Sequence, residues 1–190
     1  DKVPDTFFAA HLGVIPALYE PASETDYESS LQQCVDDGND LCIGVSFALG
    51  DAIVNVANAN PGVKFAVLDY SPASPTANLR AVLFDAKQVG YLAGTLAGRM
   101  TTSNVIGAVA GMEITPVVAF AEGYRNGAQC ANPDVHVLID YTGSFDNYEL
   151  GVVSAQALIA QGVDTLFAIG GENGEGGIIY GTQHGTWGIG

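Results

Sequence analysis

Aromatic, acidic and glycine residues recur just after the predicted strands of this sequence, where open α/β sheets bind their ligands. The positions are Ser46 with Phe47, Asp51, Asp69 with Tyr70, Met112 with Glu113, Ser144 with Phe145, and Gly170 with Gly171. An aromatic face stacks on a flat ring for about 1–3 kcal/mol, and a carboxylate accepts hydrogen bonds from both hydroxyls of a sugar diol. These residue types suit a nucleoside, while the alternative that Phe47 and Phe145 only cap the core stays open.

A glycine-rich segment, residues 170–177 (GGENGEGG), follows a predicted strand at the place where a phosphate-binding loop would lie. The spacing does not fit G-x-G-x-x-G, no Gly-Lys-Ser/Thr ends the segment, and Glu172 and Glu175 would repel a phosphate. We therefore expect a glycine loop that lets a ligand approach the backbone, with a flexible turn as the alternative.

Residue types that bind metals or act as acid and base are scattered along the chain. His11, His136 and His184 have neither the spacing nor the neighbouring carboxylates of a metal site. No G-x-S-x-G elbow occurs, and no histidine is placed to activate Ser46 or Ser144. We therefore expect no metal, no cofactor and no catalytic residue.

The composition restricts the class of partner. The 190 residues include 6 Lys+Arg and 21 Asp+Glu, a formal net charge of −15, and 48% of the residues are hydrophobic. Such a chain can bury a core, but its charge repels nucleic acid, anionic membrane surfaces and nucleotide polyanions. Neutral small molecules, sugars and nucleosides remain possible ligands.

No apolar run reaches the roughly 18 residues of a membrane span, and residues 1–5 lack the basic start of a signal peptide.

Hydrophobic periodicity predicts alternating strands and helices that would position these residues. Strands are predicted near residues 14–19, 41–46, 63–69, 81–84, 105–110, 135–141, 165–169 and 186–189. Helices are predicted from Tyr27 to a cap at Gly38, and for residues 51–59, 87–100, 116–130, 147–161 and 175–184. Unbroken apolar strands and right-handed crossovers imply parallel sheets with helices on both faces. The loop 71–78 breaks this rhythm, so we expect an N-terminal lobe of residues 1–85 and a second lobe of residues 86–190.

The three cysteines, Cys34, Cys42 and Cys130, are too few and too irregularly spaced for a disulfide framework or a zinc site. Cys34 falls on the apolar face of a predicted helix and Cys42 in a predicted strand. Both are therefore interpreted as small core residues, with a bridge between Cys34 and Cys42 as the alternative.

Several blocks carry a family resemblance, in order from about Tyr19 to Gly190. They include residues 44–52 (GVSFALGDA), 84–94 (FDAKQVGYLAG), 107–118 (GAVAGMEITPVV), 120–128 (FAEGYRNGA), 141–145 (YTGSF) and 170–174 (GGENG). These blocks resemble the basic membrane protein family of substrate-binding lipoproteins, which includes purine nucleoside receptors of bacterial ABC importers.

The resemblance implies a type I periplasmic binding protein fold, with two Rossmann-like lobes joined by a hinge and a ligand held in the cleft. By similarity, the cleft is lined by Phe47, Asp51, Asp69, Phe145, Gly170 and Gly171. The family's opening strand is absent, and its D-x-S-F-N motif is represented at best by residues 5–8. Its C-terminal return to the first lobe would lie beyond Gly190, so we expect a domain truncated at both ends.

The expected function is that of an extracytoplasmic solute-binding protein and not an enzyme, lipid-anchored through a cysteine before the mature domain. It would deliver a small neutral ligand, a purine nucleoside, to an ABC permease in the membrane. One alternative is a sugar or another small polar solute as ligand. A second is an enzyme acting on nucleosides with Asp51 or Asp69 as base. A third is a structural, self-assembling surface protein, a homo-oligomer that covers the faces exposed by truncation.

Overall fold

The computed structural model describes residues 13–190. His11 and residues 5–8, which the sequence analysis singled out, lie outside the described residues. The chain divides into two compact units, Asp1–Phe84 and Asp85–Gly190. Each unit contains its own parallel β-sheet.

The N-terminal unit contains a three-stranded sheet in the order β1-β2-β3. Its elements are α1 (Tyr27–Asp36), β1 (Leu41–Val45), α2 (Gly50–Ala59), β2 (Lys64–Leu68) and β3 (Leu79–Val82), with single 3-10 turns at Glu24–Asp26 and Phe47–Leu49. The two helices pack on one face of the sheet. Their buried side chains meet those of the strands in one cluster, formed by Leu31, Cys34, Cys42, Ile53, Val56, Ala57, Phe65 and Val67.

A disulfide joins Cys34 of α1 to Cys42 of β1. The sequence analysis favoured two unbridged core cysteines, and that interpretation is wrong about the bond. Both side chains are nevertheless buried, since only 7% of Cys34 and 1% of Cys42 are exposed. Two cysteines eight positions apart meet here because the helix ends at Asp36 and a short turn leads back into the strand.

One face of β1 differs from the prediction of fully buried strands. Cys42 and Gly44 are buried, whereas Leu41, Ile43 and Val45 are 48%, 55% and 63% exposed. Because successive side chains of a strand point to opposite faces, the helices of the described residues cover β1 on one side only.

The strand predicted at residues 14–19 does not form, and residues 14–20 adopt no regular structure. Pro16 lacks an amide hydrogen and so disfavours a central strand. Val14, Ile15 and Leu18 remain exposed. The segment is anchored at Tyr19, whose hydroxyl donates a hydrogen bond of 2.8 Å to the Asp37 carboxylate.

The C-terminal unit contains a four-stranded parallel sheet in the order β5-β4-β6-β7. Its elements are α3 (Ala86–Met100), β4 (Val105–Ala110), α4 (Thr115–Ala131), β5 (His136–Tyr141), α5 (Tyr148–Ala160), β6 (Thr165–Ile169), α6 (Gly171–Gln183) and β7 (Trp187–Ile189). Local signals start two of the helices: the Asp85 side chain accepts from the Gln88 amide at 3.1 Å, and the Asn147 side chain accepts from the Leu150 amide at 3.3 Å.

Helices cover both faces of this sheet. On one face Ile106 and Ala108 of β4 pack with Tyr124 of α4, and on the other Val109 packs with Leu158 of α5. β4 is therefore buried on both sides, as its unbroken apolar sequence predicts.

Glycines bring α3 and α4 into backbone contact. A β-carbon at Gly90 would stand 2.1 Å from the carbonyl oxygen of Phe120, and one at Gly127 would stand 2.0 Å from that of Tyr91. Gly94, Gly98 and Gly123 are similarly close to the facing helix. Only glycine allows two helices to approach in this way at successive turns.

The glycine-rich segment is helical, not a loop or turn, since α6 begins at Gly171. Four glycines of α6 are buried, namely Gly174, Gly176, Gly177 and Gly181. A β-carbon at Gly177 would lie 2.7 Å from the Val109 side chain, and one at Gly174 would lie 2.8 Å from that of Ala168. Close packing on the sheet, which a single sequence does not show, outweighs the low helix propensity of glycine.

Candidate functional site

The carboxyl-terminal edge of the C-terminal sheet contains a cavity of about 300 Å³. Three predicted site residues, Phe145, Gly170 and Gly171, line it together. The remaining lining residues come from the start of α4 and the end of β6: Pro116, Val117, Phe120, Ala168 and Ile169. The lining is thus mostly apolar side chains, with glycine backbone at one side.

The Phe145 ring packs directly on the backbone of Gly111. A β-carbon at Gly111 would lie 2.3 Å from Cε1 of that ring. Gly111 itself follows β4, and its amide donates to the Ile169 carbonyl at 3.1 Å. A β-carbon at Gly170 would in turn lie 2.6 Å from the Gly111 nitrogen. Glycine at these two positions therefore allows the ring to reach the strand ends.

Gly171 joins the Phe145 backbone to the start of α6. Its φ angle is +50°, a conformation that favours glycine, and a β-carbon there would lie 2.6 Å from the Phe145 carbonyl oxygen. That oxygen accepts a hydrogen bond of 2.9 Å from the Glu172 amide. The first turn of a helix has amide hydrogens without helical partners, and the Phe145 carbonyl satisfies one of them.

Asn173 is a buried residue of this site that the sequence analysis did not single out. Its Nδ2 group donates to the hydroxyl of Thr142 and, at 2.7 Å, to the carbonyl oxygen of Ser144. Its Oδ1 accepts from the amide of Asn147 at 3.0 Å. The only sequence signal was an amide residue inside the resembling block 170–174, because its partners lie some 30 residues earlier in the chain.

The other three predicted residues lie in the N-terminal unit, at the carboxyl ends of β1 and β2. Phe47 begins the 3-10 turn after β1, directly after Ser46, whose φ angle of 104° turns the chain sharply. Asp51 lies in the first turn of α2. Asp69 follows β2 with a φ angle of 62°, and its amide donates to the Val82 carbonyl at 2.9 Å.

Tyr70 connects two of these strand ends. Its hydroxyl donates a hydrogen bond of 2.9 Å to Asp51 Oδ1, and a β-carbon at Gly50 would lie 2.3 Å from its ring. The hydrogen bond to Asp51, followed by partial burial and the Asp51 charge, raises the pKa of the Tyr70 hydroxyl. The Asp51 carboxylate is exposed and retains a second oxygen for another donor.

Within residues 13–190, no group of three or more His, Cys, Asp or Glu residues could hold a metal ion. His136 begins β5 and His184 follows α6. Over the same residues, none of the helices combines the length and the apolar character needed to cross a membrane.

The family profile and the related proteins that match this chain point to the same family. The profile described as ABC transporter substrate-binding protein PnrA-like matches residues 8–180. The chain is 33% identical over 150 residues to basic membrane protein B of Borreliella burgdorferi, covering 77% of this chain and 44% of that protein. It is 31% identical over 158 residues to the ABC transporter nucleoside-binding protein BmpA of Lactococcus lactis, covering 83% and 45%.

A solved structure shows the same fold. A solute-binding protein of an ABC transporter system from Aeropyrum pernix K1 superposes with a TM-score of 0.83 at 30% identity, covering 96% of this chain and 54% of that one. The predicted fold class, parallel α/β sheets of the type found in periplasmic binding proteins, is thereby confirmed. The chain spans about half the length of the relatives it matches.

Proposed function

The chain belongs to the PnrA-like family of ABC transporter substrate-binding proteins, and on that premise we propose that it binds a small neutral solute, a purine nucleoside, outside the cytoplasm. The whole protein would present the bound solute to a membrane permease. Binding proteins of this kind need no catalytic residue, because a ligand acts by favouring one conformation over another.

The observation that carries the proposal is the cavity at the carboxyl edge of β4 and β6. Phe145, Phe120 and Val117 give it apolar walls, and Gly170 and Gly171 leave backbone open on one side. Apolar walls with a few polar groups are typical of small-molecule sites. An aromatic side chain at such a wall offers a stacking surface to a purine base.

Charge supports a neutral ligand over a phosphorylated one. The 21 Asp+Glu residues outnumber the 6 Lys+Arg residues, and the first turn of α6 carries Glu172. A nucleotide phosphate would therefore meet repulsion at the helix N-terminus, where phosphates otherwise bind. A nucleoside presents only hydroxyl groups and ring nitrogens to the same surface.

For the N-terminal unit we propose that Phe47 stacks on the ligand and that Asp51 accepts hydrogen bonds from ribose hydroxyls. Asp69 would be a further acceptor. The Tyr70 hydroxyl occupies one oxygen of Asp51 and fixes the orientation of its carboxylate, which leaves the other oxygen for the ligand.

The disulfide supports an extracytoplasmic location, because such bonds persist in oxidising compartments and are rare in the cytosol.

A lipid anchor through a cysteine upstream of the mature domain is part of the same proposal. So is a homo-oligomer in which a second copy covers the apolar face of β1.

Calorimetry and thermal melting with inosine, adenosine, cytidine, ribose and glucose test the ligand. We expect the purine nucleosides to raise Tm and to bind, and ribose and glucose to have no effect. The Phe145→Leu variant, which keeps an apolar side chain but removes the ring, should lose purine binding. Trp187→Leu removes an aromatic ring that is 60% exposed and does not line the cavity, and it should bind like wild type. A rise in Tm with glucose and none with any purine nucleoside would overturn the proposal in favour of a sugar ligand.

A further inference from the structure

Asn173 holds the loop that carries Phe145 from both sides. Ser144, whose carbonyl accepts from Asn173 Nδ2, immediately precedes Phe145, and Asn147, whose amide donates to Asn173 Oδ1, follows two residues later. The Asn173 side chain is completely buried, with 0% exposure. The side-chain amide of Asn173 on α6 thus fixes the chain on both sides of Phe145, in the loop between β5 and α5.

The same loop has a second attachment to the sheet. The Thr142 amide and hydroxyl both donate to the Ala110 carbonyl at 2.9 Å, and the Gly143 amide donates to the Gly111 carbonyl at 3.1 Å. These bonds hold the start of the loop at the end of β4. The part of the loop around Phe145 is connected instead to α6, through Asn173 and through the Glu172 amide.

We propose that Asn173 is a positioning residue for Phe145. It fixes the loop in the conformation that holds the Phe145 ring against Gly111 at the cavity wall, and it sets ligand affinity without touching the ligand. The effect on affinity rests on the proposed function, whereas the effect on the ring does not.

The chemistry of the amide indicates why alanine or ionised aspartate would not replace it. Alanine would leave the Ser144 carbonyl with only the Thr142 hydroxyl, at 3.3 Å, as donor and would remove the acceptor of the Asn147 amide, which is unfavourable. An ionised aspartate keeps the acceptor for Asn147 but has no donor for Ser144. A protonated aspartic acid has the shape of asparagine and regains one donor, and burial raises the pKa of such a carboxyl group.

Fluorine NMR of protein labelled with fluorophenylalanine tests the positioning directly, with the Phe145 resonance assigned from the Phe145→Leu variant. We expect Asn173→Ala to shift or broaden that resonance. In Asn173→Asp we expect the resonance to be displaced at pH 8 and to return toward its wild-type position at pH 5. Val163→Ala, which shortens a buried side chain at the opposite end of β6, is the control for lost stability and should leave the resonance unchanged at both pH values.

Inosine affinity, measured by calorimetry, provides the second readout. We expect Asn173→Ala to weaken binding by about tenfold or more, which corresponds to at least about 1.4 kcal/mol, and Val163→Ala to leave it unchanged. If wild type binds no nucleoside, the proposed function fails while the resonance still tests the position of the ring. If Asn173→Ala and Asn173→Asp fold and leave the Phe145 resonance as in wild type, the proposed role of Asn173 is wrong.

Discussion

The carbonyl oxygen of Tyr124 on α4 lies 1.9 Å from the point where a β-carbon on Gly94 of α3 would stand. No side chain fits there, so the two helices meet through their backbones.

Gly94→Ala should therefore destabilise the C-terminal unit. The added methyl group forces the helices apart, and overpacking of this kind costs about 1–3 kcal/mol or more. Urea unfolding followed by circular dichroism measures the change. Gly62→Ala is the matched control, because a β-carbon at Gly62 meets nothing within 4 Å. Equal stabilities for the two variants would contradict the close contact.

Asp164 should make the stability of the C-terminal unit depend on pH. Its carboxylate accepts from the Thr102 amide at 2.6 Å and from the Ser103 amide at 2.8 Å. Partial burial would raise the pKa of Asp164, but hydrogen bonds from Thr101, Ser103 and Thr102 outweigh burial and hold the pKa at about 2, below the usual 3.8. Because the folded pKa is depressed, the stabilisation is complete above about pH 5 and is lost as the pH falls from about 4 toward 2.

Asp164→Asn is accordingly expected to lower the free energy of unfolding by about 1–3 kcal/mol at pH 7. At pH 2.5, between the usual pKa of 3.8 and the folded pKa of about 2, the difference from wild type should be clearly smaller than at pH 7. Urea titrations at the two pH values measure this difference, and the exposed Asp134→Asn provides the comparison. A deficit of the same size at both pH values would show that the carboxylate charge is not responsible.

Reduction of the Cys34–Cys42 bond should destabilise the N-terminal unit. The bond closes a short loop, and the chain-entropy argument gives about 2–3 kcal/mol for a loop of this length. A double Cys34→Ser, Cys42→Ser variant should melt at a lower temperature, and a reducing agent should lower the Tm of wild type but not of the variant. Cys130→Ser, at an exposed free cysteine, should have no such effect.

The Tyr124 hydroxyl is buried and finds no hydrogen-bond partner among residues 13–190. Burial raises the pKa of this group strongly, so it stays neutral and unpaired. Tyr124→Phe should leave stability unchanged or raise it by about 1 kcal/mol, because the ring keeps its stacking on Phe167 at 5.1 Å.

Tyr19→Phe is the contrasting variant. It removes a hydroxyl that donates to Asp37 and accepts from Asn39, and it should lose stability. Thermal denaturation of the two variants compares them, and a clear loss of stability in Tyr124→Phe would reveal a partner for its hydroxyl.

Much of the fold was predictable, because the hydrophobic period of a long segment indicates by itself whether that segment forms a helix or a strand. The strands β4 and β6 begin and end at the predicted residues. The helices α4 and α5 differ from their predicted bounds by one residue at each end, whereas α3 begins one residue early and ends as predicted at Met100. The failures have non-local causes. The bridge between Cys34 and Cys42 depends on how α1 turns back into β1, and the helical start of α6 depends on buried glycines packing on the sheet.

Part of the candidate site was predictable, because three of its residues follow the ends of predicted strands. Phe145, Gly170 and Gly171 were placed by the rule that ligands bind at the carboxyl edge, and the structure brings them together at one cavity. Asn173 was missed because its importance lies in hydrogen bonds to a distant loop. That any of the six predicted residues contacts a ligand stays a prediction, for Phe145, Gly170 and Gly171 as well as for Phe47, Asp51 and Asp69.

Five of the 13 residues of α6 are glycine. Each interior glycine costs a helix up to about 1 kcal/mol relative to alanine, so the isolated segment would be a coil. The helix is stabilised instead by the packing of its glycines against Val109, Leu166 and Tyr148. Hydrogen exchange in α6 should consequently report whether these three contacts are intact, since their loss would unwind the helix that carries Gly171 and Asn173.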